Sequence, residues 1–226
     1  MNNSNESVRK IINEKGTKIC LAADVSSVYE LLKIADEMGP FICILKIHYD
    51  IIPNFHESNC GIELVKIKER HNFLVWEDRK FADIGSIMER QIRTSVLPWA
   101  DIVSAHPLPG LESLMAIPKE VGIILIGELS CYGNLIDRNY TKRVVELSES
   151  LSNLVGFVGQ RDIRANNGPL MFVPGISLEE NNEGDGKGQR YSTIQSKSFA
   201  DVFVIGRGIL NTSNPLETIK KFINYL

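Results

Sequence analysis

The most densely charged segment of the chain is WEDRKFADIG, residues 76–85, and its centre has the pattern D-x-K-x-x-D. Successive side chains of a strand alternate between its two faces, so Asp78 and Lys80 are predicted to point the same way. Asp83 is expected at the start of the following helix, where a carboxylate suits the positive end of the helix dipole. A solvated charged turn between a strand and a helix is the competing interpretation of so short a motif.

Other ionisable residues follow apolar runs elsewhere in the chain. Asp24 follows the run CLAA, and Lys46 and His48 follow the run ICIL. Opposite charges at close range keep lysines protonated and carboxylates ionised, and one pair 4 Å apart contributes about 4 kcal/mol at an effective dielectric near 20. Together with Asp78 and Lys80, these residues predict a rigid, alternating charge array suited to acid–base chemistry. A packed structural role explains His48 at least as well.

The elements that must position these residues alternate along the chain. The strand candidates are 18–25, 41–47, 73–76, 101–105, 121–129, 154–158, 170–173 and 202–205. Helical spacing of apolar residues occurs at 28–38, 62–70, 84–96, 108–117, 140–152 and 215–225. About eight alternating units in this length predict a closed (β/α)₈ TIM barrel, an α/β fold whose chemistry sits at the carboxyl ends of its strands. A doubly wound open sheet is the alternative that periodicity leaves open.

Composition excludes several classes of protein. The 226 residues, 43% hydrophobic and 23% charged, are typical of a globular chain, and we expect a single domain over 1–226. The net charge of −3 argues against nucleic-acid binding, and no apolar run approaches the roughly 18 residues of a membrane span. Because residues 1–10 are polar, we expect no signal peptide, and four cysteines without C-x-x-C spacing suggest a reduced, cytoplasmic protein.

Seven segments of the chain resemble the orotidine 5′-phosphate decarboxylase family, most closely its eukaryotic, monofunctional type. They are LAADV, CILKIHYDII, NFLVWEDRKFADIG, ELSC, FVPGI, GQRYST and VIGRGIL, and they extend from about Lys18 to the last helix. The resemblance implies a cofactor-free decarboxylase that converts orotidine 5′-phosphate to UMP and CO₂, the last step of de novo pyrimidine synthesis. Related 3-keto-gulonate-phosphate decarboxylases share D-x-K-x-x-D but have an acidic metal ligand where Lys46 stands, which argues against a bound metal here.

The resemblance also implies a catalytic role for each charged residue. Lys80 would protonate C6 of the pyrimidine, and Asp78 would lie against the departing carboxylate. Asp83 would enter the site of the partner subunit, which implies a homodimer with shared active sites. Lys46 would hold Asp78 and a ribose hydroxyl, and Asp24 would hold the ribose.

Substrate-binding residues are implied in the same way. Ser130 would read the pyrimidine edge, and Pro174 belongs to the substrate-binding set. The phosphate would be held by Gln189, Tyr191, Gly206, Arg207 and Gly208. Taken alone, Ser130 is typical of a turn and Arg207 of a surface cation at a helix start.

Two features of the residues themselves agree with a phosphate site. The segment Gly206–Gly208 follows the last strand, and barrels frequently bind phosphate with the loops after strands seven and eight and a helix N-terminus. The polar, glycine-rich segment 179–188 precedes Gln189, so a mobile loop there is expected to act as a lid.

The chain departs from the family at a few positions. Ile87 stands where the family usually has a threonine that contacts a ribose hydroxyl across the dimer, so we expect a weaker ribose contact. A shortened loop near 159–169 and the lack of a phosphoribosyltransferase domain are also expected. Two rival functions remain: a metal-dependent sugar-phosphate decarboxylase or epimerase on the same barrel, and an inactive UMP-binding homologue.

Overall fold

The computed structural model describes residues 5–178, 188 and 190–226. Its strands are β1 Ile19–Ala22, β2 Ile44–Ile47, β3 Leu74–Phe81, β4 Ile102–Ala105, β5 Gly122–Ile126, β6 Leu154–Val158, β7 Leu170–Pro174, β8 Ile176–Ser177, β9 Ser192–Thr193 and β10 Val202–Ile205. Its α-helices are α1 Asn5–Lys15, α2 Val28–Met38, α3 Cys60–His71, α4 Gly85–Ser95, α5 Leu111–Met115, α6 Arg138–Ser148, α7 Arg207–Leu210 and α8 Pro215–Asn224.

Eight of the strands close into a parallel barrel in the order β1-β10-β7-β6-β5-β4-β3-β2. The predicted (β/α)₈ barrel is therefore confirmed, and the open sheet is excluded because β1 pairs with both β2 and β10. β8 and β9 form a separate two-stranded parallel pair outside the barrel sheet. No helix within the described residues is long and apolar enough to cross a membrane.

Alternation along the strands divides the core into two layers. The inner cluster fills the barrel with side chains such as Ile44, Trp76, Ile102, Ile124 and Phe172. The outer cluster lies between the strands and the helices, with side chains such as Leu45, Val75, Val103, Leu125 and Phe203. Both layers are buried and apolar, so the polar side chains at the mouth of the barrel stand on a rigid scaffold.

Helix α1 was not predicted, because residues 1–10 are polar on average. Its Val8 and Ile11 are three residues apart and are buried in the inner cluster, beside Cys20 and other residues at the amino ends of the strands. Arg9 donates to the backbone carbonyls of Asn167 and Gly168, both at 3.2 Å. The helix therefore closes the end of the barrel opposite the site.

Most predicted element bounds differ from the structure by one to a few residues, and three of the differences have a clear local reason. β3 extends to Phe81 instead of ending at 76, because the charged motif continues the strand through a register shift between Glu77 and Phe81. The helix predicted at 108–117 is only α5, since Gly110 precedes it and Pro118 follows it closely. The helix predicted at 140–152 begins at Arg138, where the side chain of Asp137 caps it, and ends at Ser148.

Candidate active site

A cavity of about 310 Å³ opens at the carboxyl ends of the barrel strands. Nine of the predicted site residues line it: Asp24, Lys46, Asp78, Lys80, Ser130, Pro174, Tyr191, Gly206 and Arg207. Gly208 and His48 line it as well. These residues come from six different strand ends, and a parallel barrel brings such ends to one rim.

Lys46 is the central cation of the charge array. Its place in β2, opposite Ala22 of β1 and Trp76 of β3, directs the side chain inward, where only 6% of the residue is exposed. Its Nζ lies 2.9 Å from Asp24 Oδ1 and 3.3 Å from Asp78 Oδ2. Burial disfavours the charged amine, but the two carboxylates outweigh it, so the pKa of Lys46 is raised and the residue stays a cation.

Asp78 is the buried anion of the array. Its Oδ2 lies 2.8 Å from Lys80 Nζ, and its Oδ1 accepts a hydrogen bond of 2.7 Å from Ser104 Oγ. Burial raises the pKa of Asp78, but Lys46 and Lys80 more than offset that effect, so the net pKa is lowered. Asp78 is therefore an ionised carboxylate held on both oxygens.

Lys80 reaches the cavity through an unusual backbone. It has a φ of +59°, in the left-handed region, at the register shift in β3. Simple strand alternation, from which the shared direction of Asp78 and Lys80 was predicted, therefore does not describe this segment. Both side chains nevertheless line one cavity, because the bulge turns Lys80 Nζ back onto Asp78.

His48 joins the array as a neutral partner. Its Nε2 lies 3.1 Å from Lys46 Nζ and 3.6 Å from Asp78 Oδ2. Burial and the neighbouring Lys46 lower the pKa of His48, which favours an unprotonated ring that accepts a hydrogen bond from Lys46. His48 therefore combines the two roles considered for it: it lines the cavity, and it accepts a hydrogen bond from Lys46.

Glu77 lies behind the array, on the outer face of β3. It is fully buried, its Oε2 accepts from the amide of Tyr49 at 3.0 Å, and its Oε1 has no hydrogen-bond partner among the described residues. Burial and the nearby carboxylates of Asp50 and Asp78 raise the pKa of Glu77 to about 8. Ligand atoms of His48, Asp50 and Glu77 lie within 4.8 Å of one another, but Asp50 is already paired with Arg79 at 2.8 Å.

The opposite wall of the cavity carries the only glycine-flanked arginine among the described residues, Arg207. It lies over the ring of Tyr191, with 5.8 Å between the guanidinium carbon and the ring centroid. A Cβ on Gly206 would come within 3.0 Å of the Ala22 carbonyl oxygen, so the loop after β10 can approach β1 this closely only with glycine. Arginine and nearby backbone N–H groups suit a phosphate.

Arg190, which the sequence analysis did not single out, joins two walls of the site. Its backbone N and its Nε each lie 3.1 Å from the carbonyl oxygen of Ser130, and its Nη2 lies 3.3 Å from that of Leu129. Its guanidinium also lies over the ring of Tyr132, 5.1 Å from the centroid. The positive charge of Arg190 within the segment GQRYST could have drawn attention to it, but the residues that it contacts are some 60 residues away in sequence.

Of the predicted site residues that the structure describes, Asp83 alone does not line this cavity. Asp83 is exposed, and its Oδ1 accepts from the amide of Ile84 at 2.7 Å at the start of α4. Gln189 and the predicted lid, apart from Gly188, lie outside the described residues. Ile87 is half-buried on α4 and does not line the cavity of its own chain.

Fold and site together define a (β/α)₈-barrel enzyme with a charged cavity at the carboxyl rim. The family model described as orotidine 5′-phosphate decarboxylase / HUMPS family matches residues 17–222. The chain belongs to this family.

Its relatives are similar over most of the chain. It is 36% identical to the orotidine 5′-phosphate decarboxylase of Magnusiomyces magnusii, with 88% of this chain and 81% of the relative covered. It is 38% identical to bovine uridine 5′-monophosphate synthase over 94% of this chain, but it spans only 46% of that longer protein. The solved structure of orotidine 5′-phosphate decarboxylase from Pyrococcus horikoshii OT3 superposes with a TM-score of 0.71 at 25% identity, covering 91% of this chain and 97% of that one.

Proposed function

We propose that this chain decarboxylates orotidine 5′-phosphate to UMP and CO₂, the final step of pyrimidine nucleotide synthesis, without a metal or cofactor. The observation that carries the proposal is the alternating array Asp24–Lys46–Asp78–Lys80, with contacts of 2.8–3.3 Å, at the mouth of a barrel of this family. The named relatives are decarboxylases of this substrate or the synthase that contains one.

The reaction needs a proton at C6 and stabilisation of charge on that carbon. The bond between C6 and the carboxylate breaks, CO₂ leaves, and the bonding electrons remain on C6. The Lys80 ammonium stabilises this charge and gives its proton to C6, after which the amine regains a proton from solvent. Asp78 fixes Lys80 Nζ at 2.8 Å. The departing carboxylate lies against Asp78, whose negative charge favours its loss as neutral CO₂.

The rest of the cavity holds the nucleotide. Lys46 and Asp24 bind the ribose hydroxyls, and Ser130 binds the edge of the pyrimidine. Arg207, Tyr191 and the backbone N–H groups of the loop after β10 bind the phosphate, and we assign Gln189 to the same group. Pro174 contributes to the wall of the cavity.

Lys46 is the feature that separates this proposal from a metal-dependent relative. A cation already lies between Asp24 and Asp78, where a divalent ion would otherwise balance the two carboxylates. A raised pKa keeps Lys46 charged, so it repels a second cation.

We further propose that the active molecule is a homodimer in which Asp83 completes the site of the partner. Asp83 lies on the surface beside Ile84, which is 62% exposed. The end of α5 packs closely on the start of α4, since a Cβ on Gly85 would meet Ala116. Met115 of α5 is exposed. Exposed apolar side chains on these two neighbouring helical segments suit an interface between two copies.

The cytoplasm is the proposed location of the enzyme. All four cysteines are free thiols, three of them buried, which suits a reducing compartment. Fractionation of cells that express the tagged chain tests this proposal, and recovery in an oxidising compartment would contradict it.

The deciding experiment follows the absorbance of orotidine 5′-phosphate in the presence of the purified chain. Turnover to UMP that survives an excess of chelator supports the proposal. Loss of turnover with chelator favours the metal-dependent sugar-phosphate enzyme. Tight binding of UMP without turnover favours an inactive nucleotide-binding homologue.

A further inference from the structure

Ser104 is a polar residue in the otherwise apolar strand β4. Its side chain has no exposed surface, and it does not line the cavity. Its neighbour Val103 lies opposite Glu77 of β3, so Ser104 sits beside the D-x-K segment. A buried hydroxyl is costly unless it is hydrogen-bonded, and this one makes two such bonds.

The two hydrogen bonds of Ser104 join the catalytic pair. Lys80 donates its backbone N–H to Ser104 Oγ at 3.1 Å, and Ser104 Oγ lies 2.7 Å from Asp78 Oδ1. A hydroxyl has one proton, and the Lys80 amide can only donate. The Ser104 proton is therefore directed to the Asp78 carboxylate.

This arrangement fixes two features of the site: the orientation of the Asp78 carboxylate and the backbone conformation of Lys80. Because Ser104 holds Oδ1 of Asp78, the other oxygen of that carboxylate faces Lys46 and Lys80. Because Ser104 accepts from the Lys80 amide, it also supports the left-handed backbone, with φ of +59°, from which Lys80 Nζ reaches Asp78. Such a conformation persists only where surrounding contacts enforce it.

We propose that Ser104 is a positioning residue that locks the Asp78 carboxylate and the Lys80 backbone into their reactive arrangement. It acts through these two residues, since it is fully buried and does not line the cavity. The inference rests on the proposed function, because it concerns the proton donor of that reaction.

The test compares Ser104→Ala with Ser148→Ala. Ser148 is a matched control: it is also buried, but its Oγ donates to the Val145 carbonyl at 2.6 Å within α6, away from the site. Ser104→Ala should lower kcat by about tenfold to a hundredfold, since one bond to a charged group is lost, and leave the KM and the inhibition by UMP nearly unchanged. Ser148→Ala should leave kcat at the wild-type value. A kcat for Ser104→Ala within threefold of wild type overturns the proposal.

A second variant covers the case in which Ser104→Ala does not fold. Ser104→Cys keeps the shape of the side chain and fills the site with a somewhat larger atom, but it is a much weaker donor and acceptor, so it should fold and lose kcat in the same direction. Wild-type kcat in Ser104→Cys overturns the proposal.

A crystal structure of either variant tests positioning without any substrate, and therefore separates this inference from the proposed function. We expect the Asp78 carboxylate to rotate or the Lys80 φ to leave the left-handed region. Unchanged geometry at both residues overturns the inference, whereas failure of the wild-type chain to turn over orotidine 5′-phosphate overturns the proposed function alone.

Discussion

Lys80 combines an uncommon backbone with a central place in the charge array. Few residues other than glycine have positive φ, and the strain costs about 1–3 kcal/mol. The ion pair with Asp78 at 2.8 Å and the amide contact to Ser104 hold it there. Strain at one lysine is thus offset by contacts that also serve the chemistry.

Replacing Lys80 would remove both the proposed proton donor and the positive charge that we place beside C6. Lys80→Ala should lower kcat for orotidine 5′-phosphate by about 10⁴-fold or more, because general acid catalysis and charge stabilisation are lost together. Steady-state kinetics on folded protein measures this, with the exposed Lys119→Ala as a control. A Lys80→Ala enzyme that retains a tenth of the wild-type kcat would remove Lys80 as the proton donor.

The buried carboxyl of Glu77 should make the free energy of unfolding depend on pH. Burial raises the pKa of Glu77 from its ordinary value of 4.5 to about 8, so folding favours the protonated form. The stability that this group contributes is fully present below about pH 4.5 and is lost as the pH rises to about 8. This loss amounts to at most about 5 kcal/mol. The lowered pKa values of Asp78 and His48 act in the opposite direction with pH, so a variant must isolate Glu77.

Glu77→Gln keeps an acceptor for the Tyr49 amide but cannot ionise. Between about pH 5 and pH 8, the free energy of unfolding should fall less in Glu77→Gln than in the wild type. Urea denaturation at several pH values measures this. Glu57→Gln, at an exposed carboxyl, should run parallel to the wild type. Parallel curves for Glu77→Gln and the wild type would contradict the raised pKa.

At the scale of elements, the two halves of the site stand on opposite sides of β1. In the charge array, Lys46 belongs to β2, Asp78 and Lys80 belong to β3, and Asp24 follows β1, whereas the proposed phosphate loop follows β10. Gly206 lets that loop approach the end of β1 at Ala22. The short parallel strands set this spacing, so a rigid framework holds the proposed phosphate loop apart from the charge array.

Substitution of Arg207 tests whether binding of the phosphate, away from the charge array, also assists the reaction. If it did no more than bind, Arg207→Ala would raise only the KM. If binding energy is also used to close loops over the site, Arg207→Ala should lower kcat/KM by about 10²-fold or more, with some loss of kcat. The control is Arg143→Ala, at an exposed arginine of α6. An unchanged KM would remove Arg207 from the phosphate site.

At the scale of the whole molecule, the proposed dimer makes each active site composite. Lys80 stays in the site of its own subunit, whereas Asp83 enters the site of the other. Consider a mixed dimer that contains one Lys80→Ala subunit and one Asp83→Ala subunit. With a two-fold interface, one of its sites carries both substitutions and the other carries neither.

Mixing the two variants tests this arrangement. Random exchange of equal amounts makes half of the dimers mixed, so activity should recover to about a quarter of the wild-type value. Mass-labelled subunits establish that exchange has occurred. With exchange established, no recovery would mean that Asp83 serves its own subunit or neither site.

Local pattern in the sequence predicts most of the barrel and its charged rim. The strands at 154–158 and 202–205 and the helix at 28–38 match the structure to the residue, because runs of apolar residues and their 3.6-residue spacing are local properties. Parallel strands place their carboxyl ends on one rim, so the residues after each run could be assigned to one site without coordinates.

Tertiary structure alone decided the features that depend on distant neighbours. The left-handed backbone of Lys80 and the raised pKa of Glu77 arise from a register shift and from burial against other strands. Ser104 and Arg190 could not be selected from their surroundings in sequence, since their partners lie about 25 and 60 residues away. Sequence pattern therefore determined which residues stand at the rim, and packing between strands determined their conformation, protonation and mutual support.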